Sequence, residues 1–153
     1  MTTMTKLSNT LSAISISLIA GFVHAADYEV QMLNSGSEGF MVFEPAVLSV
    51  EIGDTVTFVA TDMAHNSASI AGMIPAGAAA WSGDLSKDIA VTFEKPGVYA
   101  YECTPHAMMA MVGVINVGRG ATNLAAVKGA AAGKKESFVT NKDRLDNYLA
   151  QVQ

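Results

Sequence analysis

The sequence has few of the residues that cross-link a chain or charge its surface. It contains a single cysteine among 153 residues, so no disulfide can form within the chain, and charged residues make up only 15%. Neither a glycine-rich phosphate loop, nor a basic patch, nor a paired-carboxylate constellation occurs, and the formal net charge of −5 argues against nucleic acid as a partner. The low charge content favours strands packed across a core over disorder.

Residues 1–25 have the three parts of a secretory signal peptide. Met1 to Lys6 carries one positive charge, Leu7 to Val23 is mostly apolar, and small residues precede the expected cleavage after Ala25. We therefore predict a working domain of residues 26–153 in the periplasm. The apolar stretch is too short and too polar for a stable membrane span, so we expect no membrane insertion.

Export makes the single cysteine informative. Exported proteins usually pair their cysteines, and an unpaired exposed thiol is open to oxidation. Burial of Cys103, or its ligation by a metal as a thiolate, would remove that liability. Loss of Lys6 and His24 with the leader makes the formal charge −6 and leaves two histidines, His65 and His106. Two histidines and one cysteine are the count that a trigonal copper site needs.

The chain between the leader and residue 117 has the pattern of an antiparallel β domain. Short runs of β-branched, aromatic or alternating apolar residues are separated by turn residues, which is typical of a β-sandwich. A polar break is predicted at Asn34–Ser37 and a turn at Gly53-Asp54. The predicted strands are 28–32, 41–43, 47–52, 55–59, 89–93, 98–101 and 111–117.

From about residue 121 the composition changes to Ala, Lys, Asn and Leu, which predicts a helical tail. Leu124 and Val127 at helical spacing, followed by two glycines, predict a short first helix. Thr140 is predicted to cap a second helix. Its apolar face consists of Leu145, Tyr148, Leu149 and Val152. We expect this helical hairpin to lie against the sandwich.

The loop Cys-Thr-Pro-His-Ala-Met-Met-Ala-Met, residues 103–111, is the strongest functional signal. Its thiolate, imidazole and thioether groups are the soft and borderline ligands that copper prefers. His65 directly follows the predicted strand 55–59, so a sandwich can bring it to the same pole. Alone, a loop histidine is usually exposed and a single cysteine is usually a small core residue. The residues themselves leave the thioether open among Met108, Met109 and Met111.

The Cys-Thr-Pro-His loop, the His65-Asn66 pair and the two predicted helices resemble the cupredoxins, in particular the pseudoazurin family. Further support comes from Met-Val-Phe-Glu-Pro at 41–45, Gly-Asp-Thr-Val-Thr-Phe at 53–58 and Met-Ile-Pro at 73–75. The resemblance covers residues 27–152 and implies an all-β, Greek-key β-sandwich of about eight strands with two C-terminal α-helices. Plastocyanin and amicyanin share the copper ligands but lack the helical tail.

The resemblance also implies the residues of a type 1 copper site. Its ligands, with the last one long and axial, are His65, Cys103, His106 and Met111. The residues implied around the ligands are Asn66, which ties the two loops together near the sulfur, with Thr104 and Pro105. Electrons are expected to leave through His106, inside an apolar docking rim formed by Met41, Pro105, Ala107 and Met109.

The implied function is one-electron transport, with one copper ion cycling between Cu(II) and Cu(I) and with no catalysis. The family implies delivery of electrons to a periplasmic reductase such as a copper nitrite reductase. Family members carry lysines around the rim, whereas this chain has Ser35, Met63 and Glu102 among the loop neighbours. A c-type cytochrome or another periplasmic oxidoreductase therefore stays open as the partner, and we expect a monomer.

Three other functions are weaker on the sequence. A copper store or delivery protein usually binds Cu(I) through several thioethers on flexible segments. An enzyme built on Cys103 and His106 would need an orienting third group and a cleft, neither of which is evident. A structural zinc site would have similar ligands, but methionine is a poor ligand for zinc.

Overall fold

The structure is a computed structural model that describes residues 24–119 and 122–152; the predicted signal peptide up to residue 23 lies outside them. Eight strands are followed by two α-helices. The strands are β1 Asp27–Gly36, β2 Gly39–Glu44, β3 Val47–Val50, β4 Thr55–Val59, β5 Ala68–Ser69, β6 Ile89–Thr92, β7 Gly97–Glu102 and β8 Val112–Val117. The helices are α1 Leu124–Lys134 and α2 Arg144–Leu149.

The strands form two four-stranded sheets, in the orders β2-β1-β4-β6 and β3-β8-β7-β5. Strand β1 pairs parallel with β4, and β3 pairs parallel with β8, while the other pairings are antiparallel. The predicted all-β architecture of about eight strands with a helical tail is confirmed.

The core between the sheets follows from the alternation of side chains along each strand. Val30 and Met32 of β1 face Tyr99 and Tyr101 of β7, and aromatic rings from both sheets pack edge to face. The opposite face of β7 and β8 is covered by the tail. This face of the sheet packs against residues of both helices and of the link between them, namely Val127, Ala131, Phe138, Leu145, Tyr148 and Leu149. Both faces of the second sheet are therefore buried.

The boundaries of three predicted elements are wrong. Strand β1 runs through the predicted break to Gly36, because Ser35 and Gly36 pair with β2 and neither has an apolar side chain that must be buried. Helix α1 continues through Gly129 and Gly133 to Lys134, since both glycines are exposed and packing of Val127 and Ala131 supports the helix. Helix α2 begins at Arg144 after Asp143, so Thr140 is not its cap.

No helix within the described residues is both long and apolar enough to cross a membrane.

Candidate metal centre

Three metal-binding side chains meet at the pole of the sandwich where β4 and β7 end. His65 lies in the loop after β4, Cys103 directly follows β7, and His106 lies in a short 3-10 turn, Thr104–Met109. His65 and Cys103 are fully buried, whereas His106 is half-buried. The two loops thus place three donors at one point with only one of them near solvent.

The donor atoms form a small triangle. The Nδ1 atoms of His65 and His106 are 3.1 Å apart, and Cys103 Sγ lies 3.6 Å from the first and 3.4 Å from the second. A point equidistant from the three is therefore about 2 Å from each, close to the length of metal bonds to imidazole and thiolate. The arrangement fits a single transition-metal ion in a trigonal N₂S site.

The opposite edge of the His65 ring is held by Asn34. His65 Nε2 donates to Asn34 Oδ1 over 2.9 Å, so Nε2 carries the hydrogen and Nδ1 keeps its lone pair toward the triangle. Parallel pairing of β1 with β4 brings the end of β1 beside the His65 loop. The sequence pattern marked Asn34 only as a strand breaker, and no local signal links residues that far apart.

Backbone hydrogen bonds close the loop on itself. Cys103 N–H donates to the carbonyl of Met111 over 2.9 Å, and Met111 N–H donates to the carbonyl of His106 over 3.3 Å. Met111 is 0% exposed and belongs to the same core cluster as Cys103, whereas Met108 is 56% exposed. Burial beside the cysteine therefore favours Met111 over Met108 as the thioether donor.

Asn66 joins the two loops. Its Oδ1 accepts from Thr104 N–H over 2.8 Å, while its Nδ2 donates to Thr104 Oγ1 and to the carbonyl of Gly83. The side chain is buried, and neighbouring Pro105 is exposed and has no N–H to donate. The side-chain amide of Asn66 therefore connects the loop that carries His65 with the loop that carries Cys103.

Burial favours the neutral forms of the two buried side chains, His65 and Cys103. Burial, with the nearby His106 ring, lowers the pKa of His65, while the Asp62 carboxylate opposes this. Burial also raises the pKa of the Cys103 thiol, and the backbone N–H groups of Asn66 and His106 act in the opposite direction. A neutral imidazole is ready to bind a metal, and the buried thiolate needs a cation to compensate it. The donor set thus suits copper.

The four residues that the sequence predicts as the rim around His106 are all apolar, and none of them is buried. Pro105 and Met108 are exposed, Ala107 and Met109 are half-buried beside the histidine, and Met41 is half-buried against the inter-sheet core. Two further apolar side chains are each 71% exposed: Met63 in the His65 loop, which was expected from the sequence among the loop neighbours, and Phe40 at the start of β2, which was not predicted.

The sequence and the fold are both similar to those of known copper proteins. A family model described as copper binding proteins of the plastocyanin/azurin family matches residues 30–118, which include the three donors and Met111. A pseudoazurin of Paracoccus pantotrophus is 40% identical over 148 residues, 94% of this chain and 97% of that one. The chain resembles the solved structure of a pseudoazurin from Sinorhizobium, with 46% identity and a TM-score of 0.75, over 82% of this chain and 95% of that one. It also resembles the structure of a pseudoazurin from Methylobacterium extorquens, with 40% identity and a TM-score of 0.73, over 83% of this chain and 99% of that one.

Proposed function

The chain belongs to the plastocyanin/azurin family of copper-binding proteins, and within it to the pseudoazurins, and we propose that it carries single electrons to a periplasmic reductase. It is a copper-binding electron carrier and not an enzyme, as its family membership shows. The copper ion supplies the redox chemistry by cycling between Cu(II) and Cu(I). A copper nitrite reductase is the proposed acceptor.

The observation that carries this proposal is the buried triangle of His65 Nδ1, His106 Nδ1 and Cys103 Sγ. We assign these three as the equatorial ligands and Met111 as the weak axial one. Cu(I) favours soft sulfur and Cu(II) favours nitrogen donors, so a site held between the two preferences changes little on electron transfer. Asn34, Asn66 and the backbone closure of the loop supply that rigidity.

Electrons are proposed to pass through the His106 ring, the only one of the three donors that is not fully buried. Its rim is proposed to consist of Met41, Pro105, Ala107 and Met109. Such an apolar surface suits short-lived docking, because redox encounters bury little area. The chain is proposed to work as a monomer.

The charge distribution supports a partner other than a strongly acidic one. Lys87 is paired with Asp84 at 3.1 Å, and Glu102 at the end of β7 is paired with Lys134. These ion pairs leave no excess of positive charge at those positions, and the mature chain is acidic. A c-type cytochrome or another periplasmic oxidoreductase therefore stays a candidate beside the nitrite reductase.

Export to the periplasm is supported by the start of the predicted mature chain. The backbone nitrogen of Ala26 lies 2.7 Å from Oδ1 of Asp54, whose side chain is buried. Cleavage after Ala25 would turn that nitrogen into an α-ammonium group already beside a carboxylate. The new N-terminus at Ala26 would thus be stabilised by its ion pair with Asp54.

The test of the site is the absorption and EPR spectrum of the mature chain loaded with Cu(II). Thiolate-to-copper charge transfer should give an intense blue or green colour. A storage or delivery protein with thioether ligands would give a colourless Cu(II) form, and that result would contradict the proposal.

The test of the exit uses Ala107→Lys, which puts a charge beside His106 without removing a ligand. We expect an unchanged spectrum and roughly tenfold slower electron transfer to a purified nitrite reductase or c-type cytochrome. Ile52→Lys, at an exposed position in the turn between β3 and β4 at the other end of the sandwich, is the matched control. Equal rates for the two variants would place the exit elsewhere.

A further inference from the structure

Arg144, the first residue of α2, binds backbone carbonyls from two segments that flank the metal centre. It is only 9% exposed. Its Nη1 donates to the carbonyls of Met41 and Ala110 over 3.0 and 3.1 Å. Its Nη2 lies 3.4 Å from the carbonyls of Glu38 and Phe40. One guanidinium thus joins the turn between β1 and β2 to the end of the Cys103 loop.

The charge of Arg144 has no carboxylate beside it. Within residues 24–119 and 122–152, no acidic group lies within salt-bridge distance of the guanidinium, and the Glu38 carboxylate accepts from Tyr148 Oη instead. A buried arginine normally has a charged partner. Here carbonyl dipoles take that place, and the planar fork is satisfied only while those carbonyls keep their positions.

Two of the carbonyls belong to residues with unfavourable backbone angles. Met41 has φ = 51° and Ala110 has φ = 54°, the left-handed region that residues other than glycine rarely adopt. Such conformations persist where surrounding contacts impose them. The shared Nη1 donor is a contact of this kind for both residues.

The peptide group that joins Ala110 to Met111 is held at both of its polar atoms. Its oxygen accepts from Arg144, and its N–H donates to the carbonyl of His106. The next carbonyl, that of Met111, accepts from Cys103 N–H. The backbone of Met111 is therefore fixed from three sides, and only the contact with Arg144 comes from outside the loop.

We propose that Arg144 is a positioning residue of the metal centre: it fixes the Ala110–Met111 peptide and so sets the distance of the Met111 thioether from copper. This inference rests on the proposed assignment of Met111 as the axial ligand. The axial contact is weak and long, and it tunes the reduction potential of such sites. The same guanidinium ties the rim residue Met41 to that segment.

The test compares three copper-loaded variants of the mature chain. Arg144→Lys keeps the charge and loses the fork, Arg144→Met loses both, and Tyr148→Phe is the control, because it loosens the same helix from Glu38 without touching Ala110. In both Arg144 variants we expect a changed intensity ratio of the two thiolate-to-copper bands and a changed rhombicity of the EPR spectrum. Tyr148→Phe should keep the wild-type spectrum.

Two outcomes of this comparison would overturn the proposal. If Arg144→Lys keeps the wild-type spectrum and only Arg144→Met shifts the potential, the arginine acts through its charge alone. If Tyr148→Phe changes the spectrum as much as Arg144→Lys does, the effect belongs to helix docking in general.

Amide hydrogen exchange in the metal-free chain tests the same contact without copper. We expect the Met111 amide to exchange at least about tenfold faster in Arg144→Lys, and the interior of β8 to be unchanged. Equal Met111 exchange in the wild type and this variant would contradict the proposal. A colourless wild type would instead refute the proposed copper site, and the exchange result would still decide whether Arg144 holds this segment.

Discussion

His65, in the loop after β4, donates from Nε2 to the Oδ1 of Asn34, a residue of β1, over 2.9 Å. The bond selects the tautomer that leaves Nδ1 free to bind a metal. Parallel pairing of β1 with β4 brings the end of β1, which carries Asn34, beside the loop that follows β4 and carries His65.

Asn34→Ala should weaken copper binding by about tenfold, because groups that orient a metal-binding histidine typically contribute that much to affinity. Competition with a chelator of known copper affinity measures the change. Ser35→Ala, at the next exposed position of β1, is the control. Equal affinities for the two variants would show that the tautomer is fixed without Asn34.

Asn66→Ala should reduce the free energy of unfolding of the metal-free chain by about 0.5 to 1.5 kcal/mol, since the N–H of Thr104 loses its acceptor at a part-buried junction. Urea denaturation measures this loss. Thr104→Val removes only the hydroxyl that accepts from Asn66 Nδ2, so its effect should be smaller. A larger loss in Thr104→Val would mean that the hydroxyl, and not the backbone contact, joins the loops.

Asp54 should make folding sensitive to acid. Its carboxylate accepts from the N–H groups of Ala26 and Glu51, which lower its pKa below the ordinary value of 3.8. A group whose pKa is lower in the folded state stabilises the fold above the unfolded pKa, and the contribution is lost as the pH falls through the folded pKa.

Asp54→Asn should therefore be less stable than the wild type at neutral pH, and the difference should shrink as the pH falls below about 3.8. Thermal unfolding measured across this range in parallel with Glu29→Gln, at an exposed position of β1, tests this. A difference that stays constant with pH would contradict the assigned role.

Tyr101→Phe should stabilise the protein by about 1 kcal/mol, because the Tyr101 hydroxyl is buried and finds no hydrogen-bond partner among the described residues. Burial raises the pKa of this phenol, so the hydroxyl stays neutral. Gly113 leaves the room for it, since a Cβ there would clash with the ring.

Tyr99→Phe is the matched comparison, because the Tyr99 hydroxyl donates to the carbonyl of Lys95 over 2.8 Å. This variant should lose about 0.5 to 1.5 kcal/mol. Chemical denaturation of both variants measures the two effects, and a loss of stability in Tyr101→Phe would show that the Tyr101 hydroxyl has a partner.

The strands and the tail were predictable because the period of the apolar residues records which face of each element is buried. The end of β1 and the start of α2 were not predictable. Ser35 and Gly36 gain their strand partners only when β1 and β2 form their hairpin. Whether α2 begins after Thr140 or after Asp143 depends on the packing of Leu145 into the core. Boundaries depend on contacts that the local pattern does not contain.

The loop from Cys103 to Met111 holds its three candidate ligands within nine residues, so the sequence by itself determined the chemistry of the site and indicated copper. Only the tertiary structure decided how the donors are oriented. Asn34 reaches His65 through a parallel strand pairing, and Arg144 reaches Ala110 because the helices cover the second sheet. These contacts join residues distant in the chain, and their energies depend on geometry that exists only after folding.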